Sequence, residues 1–373
     1  MKSIIKSIRL QGYRLFDDIT VPLNRLSVFL GENGVGKSSV FGFLSALRDS
    51  LNEGQMTPEL WATHVGTKVF FNAQSSLLWS LKIEADAKLE SYLFYQGELK
   101  GPLQRLAVVS ERIKGTAPNH SFDFMQVKNQ EGIADDPERK NTQGTVSHWG
   151  IKHTFRTREP NSLGLAQIKD PSLGVIASVK HFISGWRLYK AETLFAKRFM
   201  DVGDAGKDTF LAEDASNLPS LLYELQHKNP TVFQAIEAEL KTAFPAILSL
   251  TVNQKGLSRE CMVLASVQEV SVKLPIYEWS DAWVRFLCWV VLCLHPQKPT
   301  VMGIKFPDAG LHASLLPQLH RLFLAASEQT QVILDVQNPV LIGEFELENL
   351  VLFKRTEGGV VCLKAKAQEG SKP

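Results

Sequence analysis

The sequence is poor in the features that mark secreted, membrane and strongly nucleic-acid-binding chains. Its four cysteines, Cys261, Cys288, Cys293 and Cys362, are scattered, with no C-x-x-C pair and no paired histidine. That pattern excludes a disulfide framework or a zinc module and predicts reduced thiols in a cytoplasmic setting. Neither sign of charge prevails: 41 basic against 39 acidic residues leave a net +2, so no global field favours nucleic acid. The opening Met1-Lys-Ser-Ile-Ile5 lacks the apolar core of an export signal. The most apolar stretch, from Ala282 to Leu294, contains Arg285 and is too short to cross a bilayer, so it predicts a buried helix and no membrane partner. Repeats and low-complexity tracts are missing as well. The 373 residues suffice for one large core or two modest ones.

Against these absences stands one complete motif, Gly31-Glu-Asn-Gly-Val-Gly-Lys-Ser-Ser39. It satisfies G-x-x-x-x-G-K-[ST], with Gly31, Gly36, Lys37 and Ser38 in the defining places. Glu32, Asn33, Gly34, Val35 and Ser39 complete the loop. Glycines let the backbone wrap tightly, so that successive N–H groups point inward at a phosphate. Lys37 would reach the β- and γ-phosphates, and the Ser38 hydroxyl would face Mg²⁺. The flanks agree: Leu26-Ser-Val-Phe-Leu30 predicts a buried strand, and residues 38–51 have a helical apolar period. Strand, loop and helix place the phosphate at a helix N-terminus.

Residues 1–25 alternate in strand fashion and predict two or three antiparallel strands, with more sheet in 66–110. Residues 113–165 are polar, rich in Gly, Asn, Pro and charge, and predict long loops or an insertion. Helical periods follow over 173–186, 218–227 and 230–244, then strands near 248–252 and 262–267. The last third alternates helix and apolar strand: helices over 281–294 and 313–326, strands over 301–304 and 331–334, and final strands near 350–353 and 360–363. Such alternation predicts a largely parallel sheet. Four divisions result: 1–112 with the loop, a 113–170 insertion, a 171–247 helical region and a 248–373 C-terminal part.

The phosphate loop, Leu10-Gln-Gly-Tyr-Arg-Leu-Phe16, Phe182-Ile-Ser-Gly-Trp-Arg-Leu-Tyr189 and Asn217-Leu-Pro-Ser-Leu-Leu222 together resemble the RecF/SMC-like branch of ABC-type ATPases, specifically the small bacterial predicted ATPases. The resemblance implies an α/β P-loop head: a mixed, largely parallel sheet with flanking helices, an antiparallel N-terminal β-subdomain and an inserted segment. It implies ATP as the ligand, with Mg²⁺ at Ser38, and Arg14 near the nucleotide. Its usual setting is a homodimer, or a complex with another ATPase or a nuclease subunit, in bacterial DNA repair or anti-phage defence.

Three further family motifs are altered here. The signature L-S-D-G-T-x-R stands as Trp279-Ser-Asp-Ala-Trp-Val-Arg285. Ser280, Asp281 and Arg285 survive, but Ala282 replaces the glycine that faces the other head's γ-phosphate, and the indole of Trp283 follows as a larger obstacle. Ser280 and Asp281 serve equally well as a helix N-cap. The Walker B tail survives as Pro307-Asp-Ala-Gly-Leu-His312, which puts Lys305 and Phe306 where the family has its two carboxylates. Neither can hold a divalent cation or accept a proton from water. In the switch segment, Asp335-Val-Gln-Asn-Pro339 puts Gln337 in place of the histidine. No catalytic group of the family is therefore intact, while its binding loop is. Asp335 or Asp308 would have to compensate if the chain is an active, DNA-linked ATPase.

Minor candidates have bland alternatives. Gln74 is either the family's Mg²⁺ contact or a loop amide. His312 is a family position or a helix-start residue. Trp186, Arg187 and Tyr189 suit packing. DNA contact, implied by the resemblance, is best placed at Arg139-Lys140 and across residues 152–158.

Overall fold

The computed structural model describes residues 3–72, 74–86, 91–117, 120–135, 153–170, 172–194, 210–254, 260–357 and 359–364. From the N-terminus come β1 (Ile4–Tyr13), β2 (Phe16–Pro22), β3 (Leu26–Leu30), α1 (Lys37–Glu53) and α2 (Pro58–Val65). A run of strands follows: β4 (Ser76–Asp86), β5 (Ser91–Lys100), β6 (Ala107–Ala117), β7 (His120–Lys128), β8 (Glu131–Ala134) and β9 (His153–Arg156). Then come α3 (Gly164–Gln167), α4 (Gly174–Ser184), β10 (Trp186–Lys190), α5 (Leu218–Lys228) and α6 (Pro230–Ala243). Next are β11 (Ile247–Gln254), β12 (Cys261–Val267), β13 (Leu274–Pro275), α7 (Asp281–Leu294), β14 (Val301–Lys305) and α8 (Leu316–Ser327). The chain closes with β15 (Gln331–Asp335), α9 (Pro339–Glu344), β16 (Leu350–Thr356) and β17 (Gly359–Lys364). No described helix is long and apolar enough to cross a membrane.

Two compact units divide these elements, residues 1–186 with 347–373 and residues 187–346. In the first, an eight-stranded sheet runs in the order β2-β1-β4-β5-β6-β7-β8-β9, with all neighbouring strands antiparallel. Its buried face reads straight across the register: Leu10 opposite Trp79, Trp79 opposite Gly97, Gly97 opposite Glu111, Glu111 opposite Val127. Trp79 lies flat over Gly97, where a Cβ would fall 2.1 Å from the indole. Phe43 of α1 meets Trp79 and Trp61 at 6.4 Å each, so the helix that begins at the phosphate loop is seated on the sheet by aromatic packing. In the same unit β3 pairs in parallel with β16, and β16 antiparallel with β17.

The second unit holds the parallel pair β14–β15, the antiparallel β11-β12-β13 sheet and the helices α5 to α9. Its apolar helix α7 buries Phe286, Trp289 and both Cys288 and Cys293, whose thiols are pushed up by burial.

Two expectations need revision and one is narrowed. Within 113–165 much of the described chain is β-strand: β6 runs to Ala117, and β7, β8 and β9 extend the sheet. Their outward face is polar, with Arg112 forked onto Asp123 at 2.6 and 2.7 Å, which made a half-buried sheet look like a loop. Of the two or three antiparallel strands expected in residues 1–25 there are two, because β1 runs unbroken through Gly12. The helix expected over 173–186 stops at Ser184, and Trp186 opens β10.

A buried carboxyl holds the far part of this sheet. Glu111, fully buried, accepts from the Tyr95 hydroxyl at 2.8 Å and from the backbone N–H of Gly164 and Leu165 at 2.5 and 3.1 Å. Burial outweighs those hydrogen bonds and lifts its pKa from 4.5 to about 7. The folded state therefore binds a proton that the unfolded chain releases between those values. The stability this proton brings is fully present below pH 4.5 and lost by about pH 7. Its loss amounts to on the order of 3 kcal/mol. Denaturant unfolding from pH 4.5 to 7 is expected to show that decline in the wild type and a flattened profile in Glu111→Gln. An identical slope in both would exclude Glu111 as its source.

Candidate nucleotide-binding site

The loop between β3 and α1 has the backbone its glycines allow. Gly31, Gly34 and Gly36 all have positive φ, at 139°, 79° and 104°. Two of the three are also sterically required. A Cβ on Gly31 would lie 2.3 Å from the Phe353 carbonyl oxygen, and one on Gly36 would lie 2.4 Å from the Phe16 ring. Glu32, Asn33 and Gly34 form the exposed crest, and Val35 turns inward.

Lys37 is buried, and its ammonium donates to the carbonyls of Gly31 and Glu32 at 2.7 and 3.0 Å. The side chain thus closes the loop over itself and keeps one of its three N–H donors for a ligand. Helix α1 has no side-chain cap and no acid in its first turn, so the positive end of its dipole faces the loop without competition. Ser38 is exposed and Ser39 buried, which leaves the Ser38 hydroxyl as the one for a metal. These residues fit the triphosphate end of a nucleotide: a cradle of amides, a buried cation and an outward hydroxyl.

The β1–β2 turn buttresses the loop from one side. The Tyr13 hydroxyl donates to the Ser39 carbonyl at 3.0 Å, and the Phe16 ring fills the space beside Gly36. Between them, Arg14 holds a left-handed conformation at φ 51°, pinned by its N–H to the Val69 carbonyl at 2.9 Å. Its Nε is buried and has no partner among the described residues. The turn touches the loop through Tyr13 and Phe16, while the Arg14 guanidinium extends toward Gly66, where a Cβ would lie 3.6 Å from its Nη1. Arg355 of β16, which sequence reasoning missed, reaches the Gly34 carbonyl at 3.4 Å. Nothing in its local sequence marks it, since the contact depends on β16 pairing beside β3.

The altered motifs gather in the second unit. Lys305 and Asp335 end β14 and β15 as register partners. Burial and, secondarily, Lys190 push the Lys305 ammonium's pKa down, while Asp335 and Glu192 oppose that shift. Asp335 is fully buried. Phe306 follows with φ 56°, an uncommon conformation for an aromatic residue, fixed by its N–H to the Asp335 carbonyl at 2.9 Å.

Asp308 is engaged elsewhere. Its carboxylate accepts from the Asn338 N–H at 3.1 Å and from the Gln337 backbone, and burial raises its pKa. It fastens the segment that carries Gln337, whose side chain is exposed. The Pro307–Gly310 turn is held from α7: Trp289 Nε1 donates to the Pro307 carbonyl at 3.0 Å and Arg285 Nη1 to the Ala309 carbonyl at 2.9 Å.

Ser280 caps α7, its hydroxyl accepting from the Trp283 N–H at 3.4 Å, with Asp281 and Ala282 in the first turn. Trp283 is less of an obstacle than its size suggests. The indole packs against Phe244 at 5.5 Å and Trp279 at 5.9 Å, so the unit itself takes up much of its bulk.

The remaining candidates have local tasks. Gln74 donates to Asp17 at 3.1 Å, and His312 caps its own turn through Ser314. Trp186 is fully buried, Tyr189 donates to the Leu211 carbonyl at 2.7 Å, and Arg187 lies over the Phe210 ring at 5.1 Å. Arg139, Lys140 and Lys152 lie outside the described residues, whereas Arg156 and Arg158 are exposed at and just beyond β9.

No family model matches the chain, and no curated protein matches it by sequence. Solved structures do resemble it. An Smc head bound to the C-winged helix domain of ScpA shares 10% identity and a TM-score of 0.54, over 96% of each chain. A second Smc head with an extended coiled coil, bound to the C-terminal domain of ScpA derived from Pyrococcus furiosus, shares 10% identity and a TM-score of 0.51, over 97% of this chain and 96% of that one. At such identities the likeness concerns the fold alone, and by it the chain has the α/β fold of SMC head domains.

Proposed function

We propose that the chain is an ATP-binding head protein of the RecF/SMC-like kind that hydrolyses its nucleotide slowly or not at all. One contrast supports this most: a phosphate loop with its lysine, serine and glycine geometry in order, against Lys305 and Phe306 at the acid positions. In such a site ATP acts as a state signal. Gly31 to Ser39 hold it, and the signature end of α7, with Ser280 and Asp281 exposed, is available to a second head. When bound, Mg²⁺ supplies charge neutralisation of the phosphates. Ser38 fits it as a ligand, while the carboxylate that usually shares this task is a lysine here. In the motif register that the resemblance supplies, Lys305 stands in for that carboxylate.

The role that follows is a nucleotide-dependent sensor or scaffold within a larger assembly, with a second copy, another ATPase or a nuclease subunit as partner. That two solved neighbours are bound to domains of ScpA supports an assembly of some kind. DNA repair or anti-phage defence is the setting that the resemblance suggests. An active enzyme relying on Asp308 or Asp335 is the competing reading. It is disfavoured because the first carboxylate is held by backbone amides and the second is fully buried beside Lys305.

Calorimetric titration with ATP, with and without EDTA, tests the reading. Saturable binding is expected in the wild type, absent in Lys37→Ala and weakened only a few-fold by EDTA. Magnesium-dependent binding that vanishes with EDTA would remove the role given to Lys305, and no ATP binding at all would refute the function.

A further inference from the structure

At the end of α1 opposite Lys37, the first unit holds a second basic cavity that nucleotide binding does not use. Its volume is about 470 Å³, within the range of small-molecule sites. Its charged lining consists of Arg158, Lys169 and Lys180 against a single acid, Glu53, with Ser162 and Ser184 among the polar groups. Among the described residues none of the three cations takes part in an ion pair.

The cavity is built rather than incidental. Lys180 of α4 donates to the Ala166 and Ile168 carbonyls at 2.7 and 3.1 Å, which fixes its position and leaves one ammonium proton for a ligand. The opposite wall is stapled to the end of α1. The Leu163 N–H donates to the Gly54 carbonyl at 3.2 Å, the Met56 N–H to the Asn161 carbonyl at 2.9 Å, and Gln55 bridges to Ser162. Burial, and then the charge of Lys169, depresses the pKa of Lys180, as happens when like charges share a site. An anion between them would relieve that repulsion.

We infer that this cavity is a second ligand site, which takes a small phosphate-bearing anion through Arg158, Lys169 and Lys180. Arg158 offers a planar fork and the lysines point charges, a donor set suited to phosphate oxygens. The enclosing walls and Glu53 disfavour a duplex, which presents its phosphates on a convex surface.

The test uses the full chain carrying Lys37→Ala, so that the phosphate loop is silenced and its failure cannot be mistaken for this one. Inorganic pyrophosphate is titrated by calorimetry, with citrate and a double-stranded oligonucleotide as separate arms. Saturable pyrophosphate binding is expected, tighter than that of citrate. It should weaken about tenfold or more in Arg158→Ala/Lys169→Ala, whose substituted side chains are exposed, and in Lys180→Met. Unfolding temperatures should match the parent in the exposed-site variant, which remains the deciding one if Lys180→Met does not fold. Absence of saturable binding, equal affinity in the exposed-site variant, or stronger binding of citrate or the oligonucleotide would each overturn the assignment.

Discussion

Phosphate release from ATP is expected to rise roughly 10²-fold or more when both acids are put back, in Lys305→Asp/Phe306→Glu. A general base that accepts a proton from the attacking water contributes on that scale, and a carboxylate in place of an ammonium admits Mg²⁺ to the site. The backbone will accept the change. Phe306 is already a non-glycine residue at φ 56°, so glutamate meets no conformational demand that phenylalanine does not. Lys305→Asp sets a second carboxylate beside Asp335, its register partner, and the pair then needs a shared proton or a cation between them. Magnesium should therefore stabilise the double variant far more than the wild type, as a larger shift in unfolding temperature. A folded, ATP-binding double variant with no gain in release would mean that the defect lies in Gln337 or the signature helix, not at the acid positions.

The second large effect belongs to Gly36. Gly36→Ala is expected to weaken ATP roughly a hundredfold, for two separable reasons. Any side chain at φ 104° is strained, and the new Cβ would stand 2.4 Å from the Phe16 ring. Together these cost about 3 kcal/mol or more, and each 1.4 kcal/mol is tenfold in affinity. Adding Phe16→Leu should recover part of the loss by giving the ring's space to the methyl group, while the backbone strain remains. Unchanged ATP affinity in Gly36→Ala, measured by titration, would show that the loop does not hold phosphate in the manner described. Gly34 is a useful contrast, since a Cβ there meets nothing within 4 Å and only its φ of 79° resists substitution.

What could be seen in the sequence followed from local spacing. The phosphate loop was legible because its chemistry requires glycines, lysine and serine at fixed intervals. The helix after it was legible because α1 has one apolar face. Helix α2 was overlooked although Thr57-Pro58-Glu59 is a sound start signal: Thr57 accepts from the Leu60 N–H at 3.3 Å and Pro58 opens the helix. The end of β6 and strands β7 to β9 resemble loops in sequence because their solvent face carries Arg112, Lys114, Gln126 and Lys128, and because Glu111 occupies a core position. Other features lay beyond any local pattern. The Asp308 carboxylate meets the Asn338 amide across 30 positions, and Trp283 is accommodated by Phe244, the residue that ends α6. Tertiary packing assigned both roles.

Overnight release of inorganic phosphate by the purified wild-type chain, with ATP and Mg²⁺ and with Lys37→Ala as the control, bears most directly on the account. A chain that saturates with ATP yet releases no more phosphate than the control is what an intact cradle without its acids predicts. Sustained release well above the control, from the chain alone, would contradict it.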